Sequence, residues 1–391
     1  MKIESLEYID HASGWRLEKT DFDRLTLLVG ASGVGKSRIL QVVLHLSQIA
    51  DPHPFLLHWP KGVEWSIRFS ISSGRVCEWA GRFETKKKDK DSFNIEFERL
   101  TINDSPVVDR DLEGIRFHGK ETVKLSRRES VLDLLKEEEE IREIKNEFSK
   151  ILFDDSGLNE GLLNFIGYGW RSSIIFDPKK EATLDNIRNS NEGIKSKLYR
   201  TYANRLPIFN SVREVLVEIF PYIQDIRVVL HEMNIPDFMF DGFSKKGQEM
   251  IKGVDKYIIR IQIKEIGVTD WIGEERISSG MLKTLLHIAE LYLCADHSLI
   301  LIDEFENSLG VNCIDEMTST MLAPERNLQF ILTSHHPYII NNIGPEYWKV
   351  VTRKGSVVTT RDAAALGIGR SKHEAFIQLI NREEYSEGVT A

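Results

Sequence analysis

Cysteine is scarce. Only Cys77, Cys294 and Cys313 occur in 391 residues, with no paired ligand spacing, which argues against a disulfide framework or a cysteine-based zinc module. Positive charge is not in excess either. A net charge of −9 excludes a basic, histone-like or arm-type nucleic-acid binder, although a local basic patch is not excluded by the sum. No run of 18 apolar residues is present, so no membrane-spanning helix is expected. The first residues, Met1-Lys2-Ile3-Glu4-Ser5, lack an apolar core segment, and no signal peptide is read from them. The compartment implied is the cytoplasm. Internal repeats and low-complexity tracts are also missing.

The composition is 41% hydrophobic and 28% charged, enough for one large domain or two ordinary ones. Leu25-Thr26-Leu27-Leu28-Val29 is a continuous aliphatic run of the kind found in buried central strands. After a glycine-rich turn, Ile39, Val42, Val43, Leu46 and Ile49 recur at helical spacing. Residues 56–125 alternate, as in Trp65-Ser66-Ile67-Arg68-Phe69, and predict an antiparallel β section with Gly74 and the lysine-rich stretch around Lys86–Lys90 as turns. From Glu129 the pattern turns helical, and it stays mixed but mostly helical to about residue 250. Strand character returns over 255–267, and 277–352 alternate helix and strand as in a parallel sheet. The expected organisation is an N-terminal lobe (1–120), a mostly helical lid (121–250) and a C-terminal lobe (251–391).

Four short segments carry chemistry. Gly30-Ala31-Ser32-Gly33-Val34-Gly35-Lys36-Ser37 fits G-x-x-x-x-G-K-[ST] at every fixed position, between a strand and a helix. In that pattern the glycines let successive N–H groups turn inward toward a phosphate chain. Lys36 neutralises β/γ oxygens, and the Ser37 hydroxyl is a ligand for Mg²⁺. Arg38 follows directly and is counted with the loop. Ser298-Leu299-Ile300-Leu301-Ile302-Asp303-Glu304 reads as a strand delivering two carboxylates to its C-terminal end, where α/β sheets hold ligands. Asp303 suits the metal's water shell, and Glu304 suits the role of general base or water-orienter. Ser278, Ser279 and Gly280 open a helix, which in isolation is an N-cap and in this company an anion site. Phe330-Ile331-Leu332-Thr333-Ser334-His335 ends a strand with a histidine able to touch a γ-phosphate or an attacking water.

In this order the four segments resemble the ABC-type ATPase heads of the SMC, RecF and OLD-like lineage, and more closely the bacterial AAA family ATPases of phage-defence operons. The resemblance implies an α/β P-loop NTPase, an ABC/SMC-like head with an antiparallel β subdomain and a helical lid insertion. It implies ATP and Mg²⁺ as ligands, a signature motif at Ser278, Ser279 and Gly280, and a switch histidine at His335. It also implies a homodimer or higher homo-oligomer closed around ATP, in which the loop of one copy faces the signature serine of another. Few residues follow Pro337 once the head is complete, so no nuclease domain is expected in this chain. A separately encoded effector, a nuclease in comparable systems, is the partner expected. DNA contact of the RecF kind stays open, and no membrane partner is expected. The signature departs from relatives in its single glycine, and Ser308-Leu309-Gly310-Val311 stands where many continue Gly-Leu-His-Pro. No Q-loop glutamine is evident, since Gln41 and Gln48 fall inside the first helix.

Overall fold

The computed structural model describes residues 1–52, 61–85, 94–155, 182–190, 192–232, 257–307, 311–322, 326–369 and 371–388. The lysine-rich turn at 86–90 and Ser308–Gly310 lie outside the described residues. In chain order the strands are β1 Lys2–Asp10, β2 Trp15–Asp21, β3 Leu25–Val29, β4 Val63–Ser70, β5 Val76–Phe83, β6 Ile95–Ile102, β7 Ser105–Arg110, β8 Ile115–Phe117 and β9 Lys120–Glu121. They continue as β10 Ile151–Asp155, β11 Ile223–Glu232, β12 Tyr257–Glu265, β13 Ile272–Gly273, β14 Leu299–Asp303, β15 Gln329–Thr333, β16 Trp348–Lys354 and β17 Val357–Asp362. The helices used below are α1 Lys36–Ala50, α2 Val131–Leu134, α3 Glu139–Phe148, α4 Leu184–Arg188, α5 Ile194–Ala203, α6 Pro207–Ile219, α7 Ser279–Leu293, α8 Val311–Leu322 and α9 Pro337–Asn342.

The described chain forms two compact units, one of residues 1–155, 296–306 and 322–391, the other of 156–295 and 307–321. Residues 121–155 therefore fall in the first unit. Its 14-stranded sheet runs β10-β14-β15-β3-β16-β17-β2-β1-β4-β5-β6-β7-β8-β9. From β10 to β16 neighbouring strands are parallel, and from β1 to β9 they are antiparallel. The sequence signal explains the division. β3 and β15 are buried along their whole length and β14 over its first four residues, as continuous aliphatic runs require. β4 alternates buried and half-buried positions, as a strand with one packed face does. Gly74 turns β4 into β5 at φ +82°, as its position implied. A buried amide joins the parallel part to β1: Gln329 Nε2 donates to the carbonyls of Ile3 and Asp23, and its Oε1 accepts from Ile3 N.

The β subdomain is pinned by a buried ion pair. Glu98 and Arg110 are 0% and 2% exposed. Glu98 accepts from Trp79 Nε1 at 2.9 Å, from Val131 N at 2.9 Å and from Arg110 at 3.3 Å, while Arg110 also donates to the carbonyls of Glu129 and Ser126. The pair thus fastens the start of α2 to the sheet. Replacing Glu98 by alanine leaves a buried guanidinium uncompensated and is expected to cost about 3–5 kcal/mol. A urea melt of the variant checks this; an unchanged midpoint would refute the anchoring role.

The second unit holds an antiparallel sheet, β11-β12-β13, with the helices α4 to α8. The segment read as mostly helical thus contains two strands among its described residues, β10 and β11. Between residues 130 and 150 the chain forms two short helices, α2 and α3, and after α9 it forms a β16–β17 hairpin followed by short helices Lys372–Ile380 and Glu383–Ser386. No described helix is long and apolar enough to cross a membrane.

Candidate functional site

The parallel strands β14, β15 and β3 lie side by side, so their C-terminal ends deliver Asp303, Thr333 and the glycine loop to one edge of the sheet. Gly30 leaves β3 at φ +150°, and a Cβ there would stand 2.5 Å from the Val351 carbonyl oxygen of β16. Gly35 caps α1 at φ +112°. Only glycine combines that backbone with that proximity at low cost. Val34 is buried against the core, an anchor for the loop and not a side chain presented to a ligand. Ala31 packs against the same core, while Ser32 and Gly33 are exposed. Arg38 lies over the Trp15 ring at 4.2 Å from its centroid and donates to Asp10 at 3.3 Å, so its guanidinium is held by β1 and β2.

Lys36 is 4% exposed. Its Nζ donates to the carbonyls of Gly30 at 2.9 Å and Ala31 at 2.8 Å and lies 3.5 Å from His335 Nδ1. Burial pulls its pKa down to about 8, while the carboxylates of Asp303, Glu306 and Glu304 pull the other way. An arriving polyphosphate favours the charged ammonium. Nucleotide affinity without metal is therefore expected to be flat in this group below pH 8 and to fall toward tenfold per pH unit above it. Titration of a fluorescent nucleotide in EDTA from pH 7 to 9.5 measures this, and a flat profile would refute the lysine assignment.

Ser37 Oγ donates to Asp303 Oδ1 at 2.9 Å, and Thr333 Oγ1 donates to the same oxygen at 2.6 Å. The backbone N–H of Glu304 in turn donates to Thr333 Oγ1 at 2.8 Å. A hydroxyl and a carboxylate at this spacing are hard oxygen donors, which suits Mg²⁺ shared with phosphate oxygens. Glu304 is exposed and sits at φ +50°, a left-handed conformation that costs a non-glycine residue about 1–3 kcal/mol and that clusters at functional sites. His335 has its pKa lowered by burial and by the Lys36 charge, so its imidazole is neutral at neutral pH. An ammonium can only donate, which makes Nδ1 the acceptor and leaves the proton on Nε2.

Lys36, Ser37, Asp303, Glu304 and His335 thus share one edge of the first unit. Ser278, Ser279 and Gly280 belong to the second. There Ser278 Oγ accepts from Met281 N at 3.3 Å and caps α7; Ser278 and Ser279 are exposed and Gly280 is half-buried. Inside that unit Lys283 Nζ donates to the Asn307 carbonyl at 2.6 Å. Two residues at the edge were not singled out from the sequence, Thr333 and Glu306. The register that pairs Ile302 with Leu332 sets Thr333 beside Asp303, and a hydroxyl ending the neighbouring strand was a usable signal.

The sequence profile of the family described as "AAA domain, putative AbiEii toxin, Type IV TA system" matches residues 25–341, a span that runs from β3 through the acid pair to the histidine. The chain belongs to this family. No curated protein matches it significantly. Among solved structures, an SMC head bound to the C-terminal winged-helix domain of ScpA aligns at TM-score 0.50 and 15% identity, covering 92% of this chain and 97% of that one. The SMC head domain of Thermotoga maritima aligns at TM-score 0.43 and 12% identity, covering 93% and 99%. A head with an extended coiled coil, bound to the C-terminal domain of ScpA derived from Pyrococcus furiosus, aligns at 0.44 and 15%, covering 92% and 96%. The likeness to the first shows the fold, which is the SMC-head form of the P-loop NTPase and agrees with the α/β class read from the sequence.

Proposed function

We propose that this AAA family member hydrolyses ATP between two copies of itself and thereby controls a separately encoded effector, a nuclease, in bacterial anti-phage defence. The observation that carries the hydrolytic reading is the single Asp303 oxygen that accepts from both Ser37 and Thr333 while Thr333 accepts from Glu304 N. That arrangement ties the phosphate loop, the acid pair and the end of the histidine strand to one edge of the sheet, which supports the hydrolytic reading. When bound, Mg²⁺ would supply positive charge to the phosphate chain and so stabilise the charge that develops on hydrolysis.

Ser37 and Asp303 would hold the ion, and Lys36 would trade its two loop carbonyls for phosphate oxygens. Glu304, turned outward by its left-handed backbone, would accept a proton from the attacking water or orient it. His335 Nε2 would donate to the γ-phosphate, which makes the histidine sensitive to whether that phosphate is present. In the dimer, the exposed Ser278 of a second copy and its helix terminus would complete the anion site. ATP then holds the copies together only by the contacts its γ-phosphate adds. The family description names a toxin of a toxin–antitoxin system, which supports reading this protein as one component of a two-component device.

The test is purification with the product of the adjacent gene, followed by ATPase and nuclease assays with ATP, ADP and a non-cleavable analogue. Nuclease activity of the complex that depends on nucleotide state is the expected result. Turnover stimulated by DNA alone, with steep salt dependence and no protein partner, would instead favour a RecF-like repair ATPase.

A further inference from the structure

Glu306 has no part in the scheme above, yet its surroundings are unusual for a residue that only ends a turn. After β14 the chain doubles back on the end of β15 through three successive bonds. Glu304 N donates to Thr333 Oγ1, Phe305 N donates to the Thr333 carbonyl at 3.0 Å, and Glu306 Oε1 accepts from His335 N at 2.8 Å. Phe305 is 1% exposed, so the middle of this turn is fixed in the core and the Glu306 backbone is held beside the end of β15. The second oxygen, Oε2, is buried and accepts no hydrogen bond within the described protein. Keeping a carboxylate there costs desolvation, and a turn with no other task would carry a smaller or apolar side chain.

We infer that Glu306 is a positioning residue, whose carboxylate clamps the His335 amide and thereby fixes the imidazole beside Lys36 in step with Glu304. It acts through His335 and touches no reacting atom. The bond is made to the main chain, so it sets where the turn lies while leaving both imidazole nitrogens free for Lys36 and for the nucleotide. The inference rests on the hydrolytic reading for its kinetic arm and on geometry alone for its exchange arm.

The experiment compares Glu306→Ala and Glu306→Gln in the full-length protein. Glutamine keeps an oxygen able to accept from His335 N, and alanine does not. Loss of one hydrogen bond of this kind corresponds to about tenfold. Glu306→Ala is expected to lower kcat about tenfold with KM for ATP changed less than about twofold, and Glu306→Gln to recover most of the loss. In a His335→Ala background, Glu306→Ala should add less than about a twofold further decrease. Independently of turnover, hydrogen exchange should show the His335 amide opening about tenfold faster in Glu306→Ala and remaining protected in Glu306→Gln. Equal exchange in wild type and Glu306→Ala would overturn the clamp, as would equal loss of kcat in the two variants or full additivity with His335→Ala. Should the wild-type protein hydrolyse no ATP, the functional proposal falls while the exchange arm still judges the clamp.

Discussion

Replacing Glu304 by glutamine is expected to lower ATP turnover by about 10²–10⁴-fold, the usual loss when a general base is removed, and to trap the protein as an ATP-bound dimer. The side chain is exposed, and its backbone N–H is already satisfied by Thr333, so the amide replacement disturbs neither packing nor the bond that orients the turn. Nucleotide affinity should hold, since Lys36 and the glycine loop are untouched. With hydrolysis slowed, the γ-phosphate persists and so does the contact between copies. Phosphate release under single-turnover conditions, together with the molar mass eluting from a column in MgATP, measures both effects. Turnover at the wild-type rate would remove Glu304 from the mechanism.

Replacing Ser278 by arginine is expected to abolish turnover while each chain still binds nucleotide normally. The serine is exposed at the start of α7 and caps it through Met281 N. Loss of that cap costs the helix about 1 kcal/mol, too little to unfold the unit. The added bulk and charge would instead obstruct the face that a second copy's nucleotide must meet. Equal amounts of Ser278→Arg and Glu304→Gln proteins make a sharper version, because a mixed dimer retains one intact composite site, formed by the acid of the first and the serine of the second. Partial recovery of turnover on mixing is the expected result. Loss of nucleotide binding by Ser278→Arg would mean that the serine serves the site of its own chain.

The parallel part of the first unit was legible in the sequence because β3, β14 and β15 are buried on both faces, and such strands must be uniformly apolar. Leu25–Val29 and Leu299–Ile302 stand out for that reason, and the polar residues after each must then emerge at the sheet's edge. The strands β10 and β11 were not legible. Ile151-Leu152-Phe153 is too short to separate strand from helix by periodicity, and it becomes a strand only by pairing with the distant β14. Ile223–Glu232 lies in a stretch whose neighbours on one side are helical, and its partner β12 is separated from it by more than twenty residues of chain. The site divides in the same way. The glycine loop and the acid pair are local patterns, fixed by what a few consecutive residues can do. Thr333 and Glu306 act through bonds to residues some thirty positions away, and no local pattern announces such partners.

The shared hydroxyl of Thr333 has one more consequence. Its single proton is committed to Asp303, and one of its two lone pairs accepts from the amide of Glu304. Any displacement of the aspartate when a cation arrives must therefore tug on the peptide that carries the glutamate. The steering group would thus learn that the ion has docked through two bonds and no large motion, and a valine at this position, matching threonine in shape but mute in hydrogen bonding, would leave the fold standing with that message cut.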